Sequence, residues 1–190
     1  MPWQQISKIV LLVHPFFGGM FLKKKQEALG KKNSSFIAGL WGQKILEAEK
    51  NPEALFVMVA VDLRPDAPGA EILTRFRKFA KKRLGKRFLE CKNLVMEREF
   101  NEELRKRSFF VDPHVFSGKA FGEWWGECIQ QESKRLAKAI GVKRRAILGV
   151  SGLSVSSPWK YSRRKEGLGT MRQDIRNLSA KNRRKKARRK

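Results

Sequence analysis

Acidic residues are scarce in this chain: 18 Asp and Glu stand against 43 Lys and Arg, a formal net charge of +25 over 190 residues. Such an excess repels itself in a folded protein unless an anionic partner supplies counter-charge. Residues for metal or redox chemistry are scarcer still, with two cysteines, Cys91 and Cys128, and two histidines, His14 and His114. No CxxC pair occurs and no histidine stands near either cysteine at ligand spacing, which excludes a zinc site built from them. A disulfide has little support in a chain that reads as cytosolic, so both cysteines are expected as buried free thiols. Long hydrophobic runs are missing as well. Ile9–Val13 and Ala54–Val61 fall far short of the roughly 20 apolar residues that a membrane span needs. The opening MPWQQISK has no cationic segment before the apolar run and no small-residue cleavage site after it, so it is not expected to act as a secretory signal. A P-loop and the GxGxxG fingerprint are absent. So are the patterns of helix-turn-helix, zinc-finger, basic-zipper, RRM and KH modules.

What is present suffices for a core. Hydrophobic residues make up 41% of the chain, with thirteen Phe and five Trp, which excludes wholesale disorder and suits one domain with an appendage. Lys8–Val13 (KIVLLV), Leu55–Val61 (LFVMVAV) and Ala146–Val150 (AILGV) are uniformly apolar, and Phe109–Val111 is a weaker run of the same kind. Continuous apolar strands separated by helices predict a parallel sheet covered on both faces. Helical stripes are predicted over Ser34–Glu49, with Asn33, Ser34 and Ser35 as caps, over Ala70–Leu84, and over Gly118–Ile140 with Gly141 as its stop. A short helix is expected between Asn101 and Arg107, while Lys86–Glu99 reads equally as helix or strand. The expected fold is therefore three-layer, Rossmann-like α/β, a short and mostly parallel sheet flanked by helices, with a basic C-terminal extension.

Composition shifts after Ser151. Gly, Ser and Pro dominate Ser151–Pro158, and residues 160–190 hold fourteen basic and two acidic side chains. The expected division is an α/β domain over 1–158 and a tail over 159–190. Residues 160–190 carry +12 and the remainder +13, so the body is basic in its own right.

The tail ends in RRKKARRK (Arg183, Arg184, Lys185, Lys186, Ala187, Arg188, Arg189, Lys190), whose like charges cannot pack without counter-ions. Such a run binds phosphate backbones in a salt-dependent way and reads no sequence; its bland alternatives are a solubility tail or a nuclear localisation signal. Between Thr74 and Leu89 lie eight basic residues, Arg75, Arg77, Lys78, Lys81, Lys82, Arg83, Lys86 and Arg87, with no carboxylate. The i,i+4 acid–base pairs of an ordinary solvated face are thus missing within that window. Arg77, Lys78 and Lys81 fall opposite the apolar stripe, as a phosphate-binding ridge would. Trp159 and Tyr161, beside Lys160, Arg163 and Arg164, could stack on unpaired bases, whereas Trp124 and Trp125 read as core.

The strand ends gather the remaining candidates. His14, Asp62, Asp112, His114 and Ser151 all follow an apolar run, with Arg64, Asp66 and Ser154 nearby, and open α/β sheets bind ligands outside their strand carboxyl ends. These five are the candidate catalytic residues. A divalent metal on the two aspartates is implied under an enzymatic reading alone, because no metal-motif spacing is present. Asp after a strand is also a common turn former. GVSGLSVSS (149–157) could cradle a phosphate or could merely lead out of the sheet. Lys44 and Glu132 interrupt apolar stripes, and a buried charge must be paired or used.

The composition favours nucleic-acid association, RNA or a ribonucleoprotein first, in the cytoplasm or in the nucleus or nucleolus of a eukaryote. A small hydrolase, nuclease or phosphotransferase with its site at the strand ends is the second reading. An interaction module for acidic proteins is the third. No membrane association is expected.

Overall fold

Uniformly apolar, branched segments form strands that are buried on both faces, because their side chains pack on a pleated surface and no polar face is needed. The computed structural model describes residues 2–17, 27–67, 69–92, 97–123, 128–150 and 153–154, with backbone alone at 27–33 and 97–99. Along the chain lie β1 (Gln4–Ile6), β2 (Lys8–Val13), α1 (Glu27–Glu49), β3 (Ala54–Val59), α2 (Ala70–Leu84), β4 (Phe88–Cys91), α3 (Glu97–Lys106), β5 (Phe109–Val111), β6 (Ser117–Gly122), α4 (Cys128–Ala139) and β7 (Ile147–Gly149).

The main sheet has the order β4-β3-β2-β6-β7, and every neighbouring pair is parallel. β1 and β5 form a separate parallel pair. Alternation along β2 divides the core. Ile9, Leu11 and Val13 join Leu104 of α3 with Ile129 and Leu136 of α4, while Val10 and Leu12 join Trp41 and Ile45 of α1 with Leu73 and Phe76 of α2. Helices therefore cover both faces, giving the three layers that the apolar strands predict. The segment after β2 is anchored by Phe16, whose ring meets Trp41 at 5.2 Å and Phe76 at 6.2 Å. Trp41 donates its indole N–H to the carbonyl of Leu153 at 2.9 Å, so its polar atom is buried with a partner and the chain beyond β7 is tied to α1.

Several boundaries differ from the sequence reading. α1 begins at Glu27, so Asn33, Ser34 and Ser35 lie within the helix and do not cap it; the Lys-, Glu- and Ala-containing turn before them is itself helix-forming. The largest correction is β6. The pattern predicts one long helix over Gly118–Ile140, yet Ser117–Gly122 is a strand beside β2, and α4 begins only at Cys128. Its burial alternates from Ser117 to Ala120, and Phe121, placed on the helical stripe, is fully buried within the sheet. Lys86–Glu99 resolves into a 3-10 turn at Gly85–Arg87, then β4, then the start of α3.

Part of the basic cluster is structural. Arg87 donates to the carbonyls of Ala48, Asn51 and Ala54 through Nη1 at 2.8, 2.6 and 3.2 Å, and to that of Glu49 through Nη2 at 3.2 Å. Ala48 and Glu49 lie in the last turn of α1, whose carbonyls lack intrahelical partners; that of Ala48 also accepts the N–H of Asn51 at 3.1 Å. Arg87→Ala is expected to cost roughly 2–3 kcal/mol, the range for hydrogen bonds to a charged, partly buried group. Arg87→Lys should recover little of it, because an ammonium lacks the planar fork. Urea denaturation of the two variants checks this.

Candidate nucleic-acid interface and strand-end crevice

α2 presents Leu73, Phe76, Ala80 and Leu84 to the core, which turns its cations outward. They do not form one uniform ridge. Arg77, half-buried, is ion-paired with Glu90 at 2.6 Å. Arg75 pairs with Glu71 one turn earlier, an i,i+4 support that lies just outside the carboxylate-free window. Arg83 reaches Glu49 at 3.4 Å and stacks over Phe79, while Lys86 stacks over Phe109. What remains is Lys78, Lys81 and Lys82, all exposed and without an acidic partner among the described residues. Spacings of three and four residues put them on one helix face. Lys81 and Lys82 also lie in the last turn, where cations complement the helix dipole. Lys160, Arg163, Arg164, Arg183, Arg184, Lys185, Lys186, Arg188 and Arg189, with Trp159 and Tyr161, lie outside the described residues, as do Trp124 and Trp125.

The second candidate region is not a single site. Asp112 and His114 stand in the turn before β6, whose first residue, Ser117, pairs with Lys8 at the start of β2. They therefore belong to the amino end of the main sheet. His14 follows Val13 at its carboxyl end, about 17 Å away along a strand rising roughly 3.3 Å per residue. Asp112 instead accepts the backbone N–H of His114 at 2.9 Å, the role of a turn former. Asp62 does lie at the carboxyl edge, after β3, where it pairs with Lys92 at 2.9 Å in full solvent. Arg64 and Asp66 form a loose exposed pair at 3.8 Å. Ser154 is buried and donates to the carbonyl of Val150 at 2.8 Å; Ser151 lies outside the described residues. Lys44, the other charge on an apolar stripe, is ion-paired with Glu47. Among the described residues no cluster of three or more His, Cys, Asp or Glu could hold a metal ion.

Around His14 the arrangement is more constrained. The chain runs outward from β2 through β3 to β4, then returns to β6 on the other side of β2 and ends at β7. The direction of winding reverses between β2 and β6, the point at which doubly wound sheets take ligands. His14 and Phe16, just beyond β2, both have left-handed backbone, at φ 48° and 66°. Bulky residues adopt that region at a cost and keep it where the surroundings enforce it. The N–H of His14 is held by the carbonyl of Val59 at 2.8 Å, and the N–H of Glu123 by that of Val13 at 3.0 Å.

The second turn of α4 carries another buried charge. Glu132, 3% exposed, is ion-paired through Oε1 with Arg135, while its Oε2 is buried with no hydrogen-bond partner. Among the described residues, His14 Nδ1 is the other buried side-chain atom without one. Burial, and then the positive charge of Arg135, hold the His14 imidazole below its usual value of 6.5. The unfolded chain thus binds the proton more readily, so stability should be complete above about pH 6.5 and fall as pH drops through the folded value. His14→Gln is expected to flatten the melting temperature between about pH 7 and 5.

Neither cysteine is in a disulfide, and both are half-buried. Burial, reinforced by Glu103, pushes the Cys91 thiol up to about 12, against the opposing charge of Arg107. It is a packing residue at neutral pH and no nucleophile. No helix among the described residues is long and apolar enough to cross a membrane.

The topology and its switch point define a Rossmann-like, doubly wound α/β protein. Comparison with family models, curated proteins and solved structures returns no match, so no particular family is assigned.

Proposed function

We propose that the protein binds nucleic acid, RNA in preference to DNA, through the outer face of α2 together with the cationic stretch 160–190. The observation that carries this reading is the set of exposed lysines at 78, 81 and 82, which no acid neutralises among the described residues. A surface evolved only for solubility mixes signs, because acid–base pairs stabilise a helix by a few tenths of a kcal/mol each. Here the charge is left for an outside anion, in a chain whose net charge of +25 already demands one. RNA is preferred because no groove-reading DNA module is present and because Trp159 and Tyr161 stand among cations, the composition of a stacking surface for unpaired bases. Such contacts position a backbone and read little sequence. The cytoplasm, or the nucleus of a eukaryote, is where this partner would be met.

Crosslinking in cells followed by sequencing of the bound RNA tests the reading. The expected result is recovery of RNA with weak sequence preference, reduced in a variant lacking 160–190. Recovery of no RNA above background rejects it.

A further inference from the structure

On one side of the main sheet the helical layer stops short of the edge. Among the described residues, the core beneath α1 and α2 takes alternate side chains of β2, β3 and β4, but only Phe121 from β6 and none from β7. Lys119 and Leu148, paired in register, point to this side, because Ala120 and Ile147 beside them face α4. Both are exposed, Leu148 at 62%, the highest value of any described large hydrophobic residue. α1 forms the wall of this step. Its Gly42 lies against Phe79 of α2 and its Glu49 pairs with Arg83, so the flank turned toward β6 and β7 carries Leu40, with Phe36 one turn before it. Phe36 is itself exposed. Covering such a face is favourable by about 25 cal/mol per Å² of apolar surface.

The chain itself leads onto the surface. After β7 the N–H of Val150 bonds to the carbonyl of Ala120 at 2.8 Å, Leu153 is buried in the α1–α2 core, and Trp41 holds the carbonyl of Leu153. The residues that follow Ser154 therefore start beside α1, on the uncovered side. Among them Met171, Ile175 and Leu178 recur at spacings of four and three, the stripe of an amphipathic helix. Thr170 with Gln173 three residues later is the pattern of a capping box.

The charges match as well. Asp174 falls on the same stripe and is the only acid after Glu166. Thr170, Met171, Asn177 and Leu178 stand three and four residues from it, so a helix offers it no internal cation. A carboxylate on an apolar face needs a partner once it is covered. Lys119, in the middle of the uncovered face, is exposed and has no acidic partner among the described residues. Lengths agree too, since twelve helical residues span roughly 18 Å and a six-residue strand such as β6 about 20 Å.

We infer that residues 170–181 fold as an amphipathic helix over β6 and β7, seating Met171, Ile175 and Leu178 on Leu148 and the Phe36–Leu40 flank of α1 and pairing Asp174 with Lys119. Arg172 and Arg176 fall on the outer side of that helix, and the cationic run 183–190 follows from its end. The tail's charge is thereby held on the same side of the sheet as α2. The inference stands on packing and does not rest on RNA binding.

Hydrogen exchange of the full-length chain, read by mass spectrometry without nucleic acid, tests the docking. Amides of 174–181 are expected to exchange at least roughly tenfold more slowly than an unstructured chain, a protection that so short a helix does not hold alone in water. Leu148→Glu, at a site whose side chain is exposed in the described fold, should abolish that protection and leave β2 and β3 protected. Lys119→Asp should reduce it about threefold, and Asp174→Lys in the same chain should restore it. Rapid exchange of 174–181 in the wild type overturns the inference, as does protection indifferent to both substitutions. Protection lost on dilution assigns the face to a second copy of the chain. Protection lost in Phe110→Glu but kept in Leu148→Glu moves the segment to the exposed ring on β5. Either result rejects the proposed seat. Because no RNA enters the measurement, its outcome is separate from that of the RNA-binding test.

Discussion

Gly122→Ala should destabilise the protein by roughly 4 kcal/mol, combining strain at a glycine-only backbone conformation with a steric clash. Gly122 ends β6 at φ 137°, a conformation that L side chains rarely adopt. A Cβ there would stand 2.1 Å from the carbonyl oxygen of Val13 and 2.7 Å from its nitrogen. Neither atom is free to withdraw, because Val13 belongs to the central strand and its carbonyl accepts the N–H of Glu123. For a chain of this size the melting temperature should fall by roughly 8–16 °C. Gly39 is the matched control. It lies in α1 with nothing within 4 Å of its missing Cβ, so Gly39→Ala should be neutral or stabilising by up to about 1 kcal/mol. A melting temperature for Gly122→Ala within a degree or two of wild type would mean that β2 and β6 do not meet as described.

The second large effect concerns binding. Replacing Lys78, Lys81 and Lys82 together by Ala should weaken the affinity for single-stranded RNA roughly 100-fold at 0.1 M salt. Each phosphate contact to a single strand contributes about 0.7 to the salt exponent, or roughly a factor of five at that concentration. The fold should be untouched, since all three side chains are exposed and unpaired among the described residues. Arg75→Ala should matter less, because Glu71 already neutralises that charge.

Some of this was legible in the residues. β2 and β3 are continuous apolar runs with no competing period, and α2 has one stripe ending in Leu84 before Gly85, so these elements appear where the pattern puts them. β6 was not legible. Its six residues include two glycines and a lysine, and Phe121 happens to fall at helical spacing with residues of α4. That error hid the strand that creates the switch point. The pattern groups Asp112 and His114 with His14 because β5 reads as one more strand of the same sheet; which sheet a three-residue strand joins depends on partners distant in sequence. Glu132 did announce itself, as a carboxylate on an apolar stripe. Arg135 gave no signal, since its role depends on what its neighbour one turn back faces. The pairing of Arg77 with Glu90 and of Arg87 with four carbonyls was equally hidden, because a run of cations looks alike whether its members face solvent or the fold.

The sharpest test of a built polyanion surface on the α/β body is therefore the salt dependence of RNA affinity, measured in parallel for the wild type and the Lys78/Lys81/Lys82 triple alanine variant between roughly 50 and 200 mM salt. The expected result is a steep linear fall of log affinity with log salt for the wild type, and a slope shallower by about 2 for the variant. Identical slopes for the two proteins would contradict the account, because the lysines of α2 would then touch no phosphate.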